Sequence, residues 1–179
     1  MSAGPSRAAG HVVLVGMMGV GKSTVGRRLA SALELPFVDS DDELVARTGR
    51  TVAEIFAADG EPAFRVLEAE VMADLLASDR ATVIAAAGGA VLAPATRAWL
   101  RERSTVVWLR APVDVLVERT SGGTHRPALA DDPRATLERM EDDRSAVYAE
   151  VADVVIDADR PVAAVVDAIV VALRSVVTS

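Results

Sequence analysis

The chain has 179 residues, enough for one domain with a hydrophobic core and too few for two of ordinary size. Its net charge of −7 argues against nucleic acid or an acidic membrane as a partner, because both require a basic surface. Cysteine is absent, which excludes disulfides and thiolate metal sites. No apolar run reaches the roughly 18 residues of a membrane span. Residues 1–10 lack the apolar core of a signal peptide and are predicted to be a short disordered leader. We therefore expect a cytoplasmic monomer.

Short apolar runs alternate with helical stretches along the chain, which favours a parallel sheet covered by helices on both faces. The predicted strands are 11–15, 37–39, 82–86, 105–109 and 154–157. The predicted helices are 22–33, 94–103, 112–119, one ending near 150 and a terminal helix opened by Pro161. Two segments depart from this alternation. The first is a charged helical region over 41–77, which is broken at Gly49 and Gly60 and has Thr51 as a helix cap. The second is a loop over 120–133. We predict one three-layer α/β/α domain with a five-stranded parallel sheet, in which both segments lie near the carboxyl ends of strands.

Residues 16–23 read Gly-Met-Met-Gly-Val-Gly-Lys-Ser and match the G-x-x-x-x-G-K-[ST] pattern of a phosphate-binding loop. The pattern lies between a buried-type strand and a helix, as this motif requires, whereas a plain glycine-rich turn would not explain Lys-Ser. Lys22 would place its charge at the β- and γ-phosphates of a nucleotide, and the Ser23 hydroxyl would ligate Mg²⁺. Lys22 is the only lysine of a chain rich in arginine, which indicates that a compact ammonium is required there. The predicted nucleotide-binding residues of this segment are Gly19, Val20, Gly21, Lys22, Ser23 and Thr24.

The motif alone does not distinguish a kinase from a motor or a switch. The short chain argues against a motor. The absence of asparagine excludes the N-K-x-D guanine-reading pattern of Ras-type GTPases.

Asp39 and Asp41 end the second predicted strand. In an extended segment, side chains two residues apart face the same way, so both carboxylates could enter one cleft. One could hold the water shell of Mg²⁺ and the other could orient an attacking hydroxyl. The alternative is a polar turn in which Asp41 or Asp42 caps the following helix.

Three further features carry little information individually. Arg65 and Glu68 have the spacing of a surface ion pair, Gly88-Gly89 has the form of a bare turn, and Arg144 lies on a helix rich in acids. Arg126 lies in the 120–133 loop, where a cation could close over a transferring phosphoryl group. A solvated loop arginine is the alternative.

Taken in order, these segments resemble the shikimate kinase family from about residue 11 to residue 171. The resemblance rests on the phosphate loop and on FVDSD (37–41), DGEPAFRVLE (59–68), AGGAV (87–91), RTSGGTHRPAL (119–129) and RSAVY (144–148). It implies transfer of the ATP γ-phosphoryl group to the 3-hydroxyl of shikimate, on the route to chorismate and aromatic amino acids, with Mg²⁺ as cofactor.

The resemblance also implies residue roles. Asp41 would bind the shikimate hydroxyls and activate the attacking one, while Arg65 and Arg144 would hold the carboxylate. By the same resemblance, Gly88 and Gly89 would contact the substrate, and Asp39 with Ser23 would support Mg²⁺. Arg126 would be the lid residue touching ATP, and Arg119 with Arg160 would contact the adenine. The catalytic set is thus Asp41, Lys22 and Arg126.

One position departs from the family. Three glycines are usual where this chain has Ala87-Gly88-Gly89, and alanine would cost about 1 kcal/mol if that position required a positive φ. Two other readings remain open: a related small-acceptor kinase such as gluconate kinase, and a nucleotide-binding relative without catalysis.

Overall fold

A computed structural model describes residues 10–121 and 132–177. Its strands are β1 (His11–Val15), β2 (Phe37–Asp39), β3 (Val83–Ala85), β4 (Ser104–Arg110) and β5 (Val154–Asp157). Its helices are α1 (Lys22–Leu33), α2 (Ser40–Thr48), α3 (Val52–Ala77), α4 (Pro94–Arg103), α5 (Val113–Thr120), α6 (Pro133–Val151) and α7 (Val162–Val177). The predicted leader, apart from Gly10, lies outside the described residues, as does the loop segment 122–131.

The five strands form one parallel sheet in the order β2-β3-β1-β4-β5. Helix α1 packs against α7, while α4 packs against α3 and α6, so that helices flank the sheet. Every residue of β1 is buried because the strand has neighbours on both edges and helices on both faces. The predicted three-layer α/β/α fold is confirmed. The chain passes from β1 to β2 at one edge of the sheet, returns in β3 beside β1, and then crosses to β4 on the other side of β1. Ligands of such sheets bind beside this reversal, at the carboxyl ends of the strands.

The helical region after β2 has the three predicted pieces. Helix α2 ends at Gly49, and α3 is interrupted at Gly60, whose φ of 79° and ψ of 171° are not helical. Thr51 caps α3 in a reciprocal capping box with Glu54, as the sequence predicted for Thr51. This region has a small apolar cluster of its own, separate from the main core against the sheet, formed by Leu44, Ile55, Phe64 and Val71.

Several element ends differ from the prediction by one or two residues. Strand β4 is longer than predicted and β3 is shorter, because ladder pairing decides where a strand ends. Within the described residues, no helix is both long enough and apolar enough to cross a membrane.

Candidate active site

The phosphate loop links the end of β1 to the start of α1. Gly16, Gly19 and Gly21 have φ angles of 141°, 80° and 102°, which residues with a side chain rarely adopt. A methyl group on Gly16 would lie 2.4 Å from the carbonyl oxygen of Leu109, so space also requires glycine there. Gly21 is the N-cap of α1 and brings no capping side chain, so the first N–H groups of the helix face the loop. The loop therefore has the geometry of an anion site at a helix N-terminus.

Lys22 and Ser23, the first two residues of α1, make different contacts. The Lys22 ammonium donates hydrogen bonds to the carbonyls of Gly16 and Met17, at 2.7 and 3.0 Å, and so spans the loop. The Ser23 hydroxyl donates to Asp39 Oδ2 at 2.5 Å. This bond joins α1 to the end of β2, so Asp39 lies beside the phosphate loop.

Asp41 is not in an extended segment, so the predicted geometry of the two aspartates is wrong. Asp39 is the N-cap of α2: its Oδ1 accepts the N–H of Asp41, at 3.0 Å, in the first turn of the helix. A short polar residue directly before a helix satisfies the free N–H groups of the first turn, and this capping preference decided the local structure. The alternative reading had the polar turn right but the capping residue wrong.

The side chain of Asp41 has charged groups of several elements around it. This side chain is half-buried. Burial makes the largest contribution to raising the pKa of Asp41, and the nearby carboxylate of Asp39 raises it further, while the charge of Lys22 partly opposes this shift. The charge of Arg65 on α3 opposes the rise in the pKa of Asp41 as well. A carboxylate with a raised pKa accepts a proton more readily.

Arg65 and Glu68 form an ion pair in which Glu68 is buried and Arg65 is partly exposed, which corrects the expectation of a pair on the surface. Glu68 is 4% exposed, and its Oε2 accepts a hydrogen bond of 2.9 Å from Arg65 Nη1. Burial raises the pKa of Glu68, whereas the charges of Arg65 and Arg144 lower it. One carboxylate thus lies near both arginines predicted to bind an acidic acceptor. The three-residue spacing is the same on an exposed and on a buried helix face, so no feature of the sequence indicates this burial.

The turn at Gly88 and Gly89 lies against the same two arginines. A methyl group on Gly89 would lie 1.9 Å from Arg65 Nη1, and one on Gly88 would lie 3.3 Å from Arg144 Nη1. A methyl group on Gly89 would therefore displace the Arg65 guanidinium, whereas one on Gly88 would require Arg144 to move by only a few tenths of an ångström. Neither glycine has a positive φ. Ala87 has no positive φ either, so alanine carries no backbone strain at the position where the family usually has glycine.

Two buried hydroxyl groups that the sequence reasoning missed hold this turn. Ser40 Oγ accepts the N–H of Ala87 at 2.9 Å, and the Tyr148 hydroxyl donates to the Gly88 carbonyl oxygen at 2.6 Å. Ser40 lies between two predicted site residues, and Tyr148 lies one turn after Arg144 on α6. That proximity is the only signal in the sequence, because the bonded partners are 47 and 60 residues apart.

The arginines predicted at the nucleotide lie at the other end of the site. Arg119 donates to the carbonyl of Val20 in the phosphate loop at 3.3 Å and to that of Ala158, after β5, at 3.0 Å. Arg160 donates to the carbonyl of Asp157. The structure therefore brings Arg119 to the phosphate loop. Arg126 lies outside the described residues.

Comparison with known proteins decides the family. The family model described as Shikimate kinase matches residues 18–174. The chain belongs to the shikimate kinase family. A relative named shikimate kinase from Halorhodospira halophila is 47% identical over 152 residues, which are 84% of this chain and 85% of that protein. The resemblance seen in the sequence motifs is thereby confirmed.

Solved structures agree with this membership of the shikimate kinase family. The structure described as shikimate kinase from Acinetobacter baumannii in complex with shikimate has a TM-score of 0.90 and 36% identity, covering 94% of this chain and 95% of that one. A gluconokinase from Sinorhizobium meliloti has a TM-score of 0.65 and 22% identity over 96% of this chain. At that identity the second likeness concerns the fold alone.

Proposed function

We propose that this protein transfers the γ-phosphoryl group of ATP to the 3-hydroxyl of shikimate, giving shikimate 3-phosphate and ADP. The observation that carries the proposal is that hydrogen bonds link Ser23 of the phosphate loop through Asp39 to Asp41. The carboxylate of Asp41 is also influenced by the charges of Lys22 and of Arg65 on the acceptor side. Membership of the shikimate kinase family supports the choice of acceptor. The product would enter the synthesis of chorismate and aromatic amino acids.

On the donor side, the phosphate loop would hold the nucleotide. Backbone N–H groups between Gly19 and Thr24 and the positive end of α1 would face the phosphates, with the Lys22 ammonium at the β- and γ-phosphates. Arg119 and Arg160 would contact the adenine, as the family resemblance implies. Arg126 would close over the transferring group, stabilise its charge and exclude water.

On the acceptor side, the charges match an acid that carries hydroxyl groups. Arg65 and Arg144 would bind the shikimate carboxylate through charge-assisted hydrogen bonds, with Gly88 and Gly89 beneath it. Such arginines are needed locally because the protein as a whole is acidic, with a net charge of −7.

The transfer itself needs one proton acceptor. The oxygen of the 3-hydroxyl forms a bond to the γ-phosphorus while the bond from that phosphorus to the bridging oxygen of ADP breaks. Asp41 would take the hydroxyl proton, and its raised pKa suits this role. Positioning and charge stabilisation supply the rest of the catalysis.

Ser23 and Asp39 fit a magnesium site. Their hydrogen-bonded side chains place a hydroxyl and a carboxylate oxygen beside the phosphate loop, and Mg²⁺ in nucleotide sites takes few protein oxygens because water and phosphate complete its shell. Ser23 and Asp39 would hold Mg²⁺, which would neutralise the charge that develops on the phosphates during the transfer. We further propose a single-domain, cytoplasmic monomer, in keeping with the expectations from the sequence.

An acceptor assay tests this function. Purified protein with ATP and Mg²⁺ is given millimolar shikimate or gluconate, and ADP formation is followed. We expect ADP formation with shikimate and only background formation with gluconate. No turnover of shikimate would refute the proposal. Turnover of gluconate alone would identify a different small-acceptor kinase, and ATP binding without any turnover would identify a non-catalytic relative.

A further inference from the structure

Tyr148 lies where α6 meets the turn at Gly88 and Gly89. The residue is 1% exposed, and its ring packs against Trp108 of β4 with 5.7 Å between the ring centroids. From this fixed position its hydroxyl donates the 2.6 Å hydrogen bond to the Gly88 carbonyl oxygen. The contact therefore ties a rigid part of the core to the substrate side of the sheet.

The Tyr148 hydroxyl remains protonated at working pH. Burial raises the pKa of Tyr148 to about 12, and the charge of the nearby Arg144 only partly opposes this shift. A neutral phenol can donate to a carbonyl oxygen, whereas a phenolate has no proton to donate. The bond to Gly88 is therefore present throughout the neutral range.

The direction of the Gly88 carbonyl determines the direction of the next amide group. A trans peptide is planar, with its N–H on the opposite side from its C=O, so the bond from Tyr148 also fixes the Gly89 N–H. The turn lies against Arg65 on one side and Arg144 on the other. Backbone and guanidinium donors around one pocket suit a carboxylate, which accepts several hydrogen bonds at once.

We propose that Tyr148 is a positioning residue for the acceptor's carboxylate. Its hydroxyl fixes the peptide between Gly88 and Gly89, and it lies beside Arg144, so that one side chain orients both kinds of donor. The inference rests on the proposed function, because it takes shikimate as the acceptor. Tyr148 acts through these neighbours, so it affects binding of the acceptor's carboxylate and not binding of ATP.

The substitution Tyr148→Phe tests this role because it keeps the ring and removes only the hydroxyl. The Gly88 carbonyl loses its donor, and we expect the KM for shikimate to rise about tenfold or more, with the KM for ATP unchanged. Shikimate methyl ester, which lacks the negative charge, supplies a second readout. The wild type should use the ester less well than shikimate, and Tyr148→Phe should leave the KM for the ester unchanged.

Ser104→Ala is a matched control. Ser104 is also buried, and its hydroxyl donates to the Leu100 carbonyl at 2.7 Å, but it lies at the amino end of β4, away from the site. This variant should lower the Tm and leave every KM unchanged.

The results distinguish a failure of the positioning role of Tyr148 from a failure of the proposed function. Suppose that the wild type is active. If Tyr148→Phe leaves the KM for shikimate unchanged, or raises the KM for shikimate and the KM for the ester equally, only the positioning role is overturned. A wild type that phosphorylates no shikimate would overturn the proposed function and this inference with it.

Discussion

Gly89 offers the sharpest test of the acceptor pocket. A methyl group at this position would lie 1.9 Å from Arg65 Nη1 and 2.6 Å from its Cζ, far closer than the roughly 3.5 Å at which heavy atoms pack. The backbone of Gly89 has φ −95° and ψ −8°, a turn conformation that is also allowed for alanine. Gly89→Ala therefore acts by displacing the Arg65 guanidinium.

The size of the effect follows from what holds Arg65. Its bond to the buried Glu68 is 2.9 Å long and its bond to Glu61 is 3.0 Å long. Glu61 is exposed, so that second pair contributes little. A hydrogen bond to a charged group is worth about 1.5–3 kcal/mol, so loss of one such bond to the acceptor's carboxylate should raise the KM for shikimate about 10- to 150-fold.

Initial rates at varied shikimate and saturating ATP would measure this change. Gly49→Ala is the control: Gly49 has φ 67° and no atom within 4 Å of an added methyl group, so alanine there should cost stability through backbone strain without changing either KM. An unchanged KM for shikimate in Gly89→Ala, or the same increase in Gly49→Ala, would refute the reasoning.

Three further substitutions test the donor and acceptor sides. Asp41→Asn should lower kcat about 100- to 10,000-fold by removing the base, with ATP binding intact by calorimetry; retained activity would contradict its role. Burial and Asp39 raise the pKa of Asp41 in the folded state, so the stability contributed by its protonated form is present below the unfolded pKa and is lost as pH rises through the folded pKa. Above the folded pKa the ionised carboxylate therefore destabilises the fold, and thermal melts of Asp41→Asn at such a pH should show a Tm no lower than that of the wild type. Lys22→Arg should lower kcat about 100-fold or more, because a planar guanidinium does not fit where the ammonium lies 2.7 and 3.0 Å from two loop carbonyls; wild-type kcat would show that any cation suffices. Ser40→Ala leaves the Ala87 N–H unpaired, which should cost about 1–3 kcal/mol of stability and raise the KM for shikimate but not for ATP; unchanged melts and kinetics would show that the bond is unimportant.

Local signals in the sequence predicted much of the fold. The phosphate-loop pattern fixed the end of β1 and the start of α1 because it requires a strand before it and a helix after it. Gly60 was predicted as a break, and its non-helical φ and ψ within α3 confirm this. In each case the determining interactions lie within a few residues of each other.

The errors of the sequence-based predictions have two causes. One is competition between alternative local structures, and the other is contacts between residues distant in sequence. Asp39 could end a strand or cap a helix, and capping prevailed, which placed Asp41 in the first turn of α2. Glu68 was read as exposed because its spacing from Arg65 carries no information on burial. The bond from Tyr148 to Gly88 spans 60 residues, so only the packing of α6 against the sheet reveals it.

The most direct measurement follows the transferred group itself. The protein is mixed in a single turnover with ATP labelled at the γ-phosphorus and with shikimate, and the labelled products are separated. The account predicts that the label leaves ATP as shikimate 3-phosphate, in step with ADP formation. Label found only in inorganic phosphate, or label retained in ATP in the presence of shikimate, would contradict it.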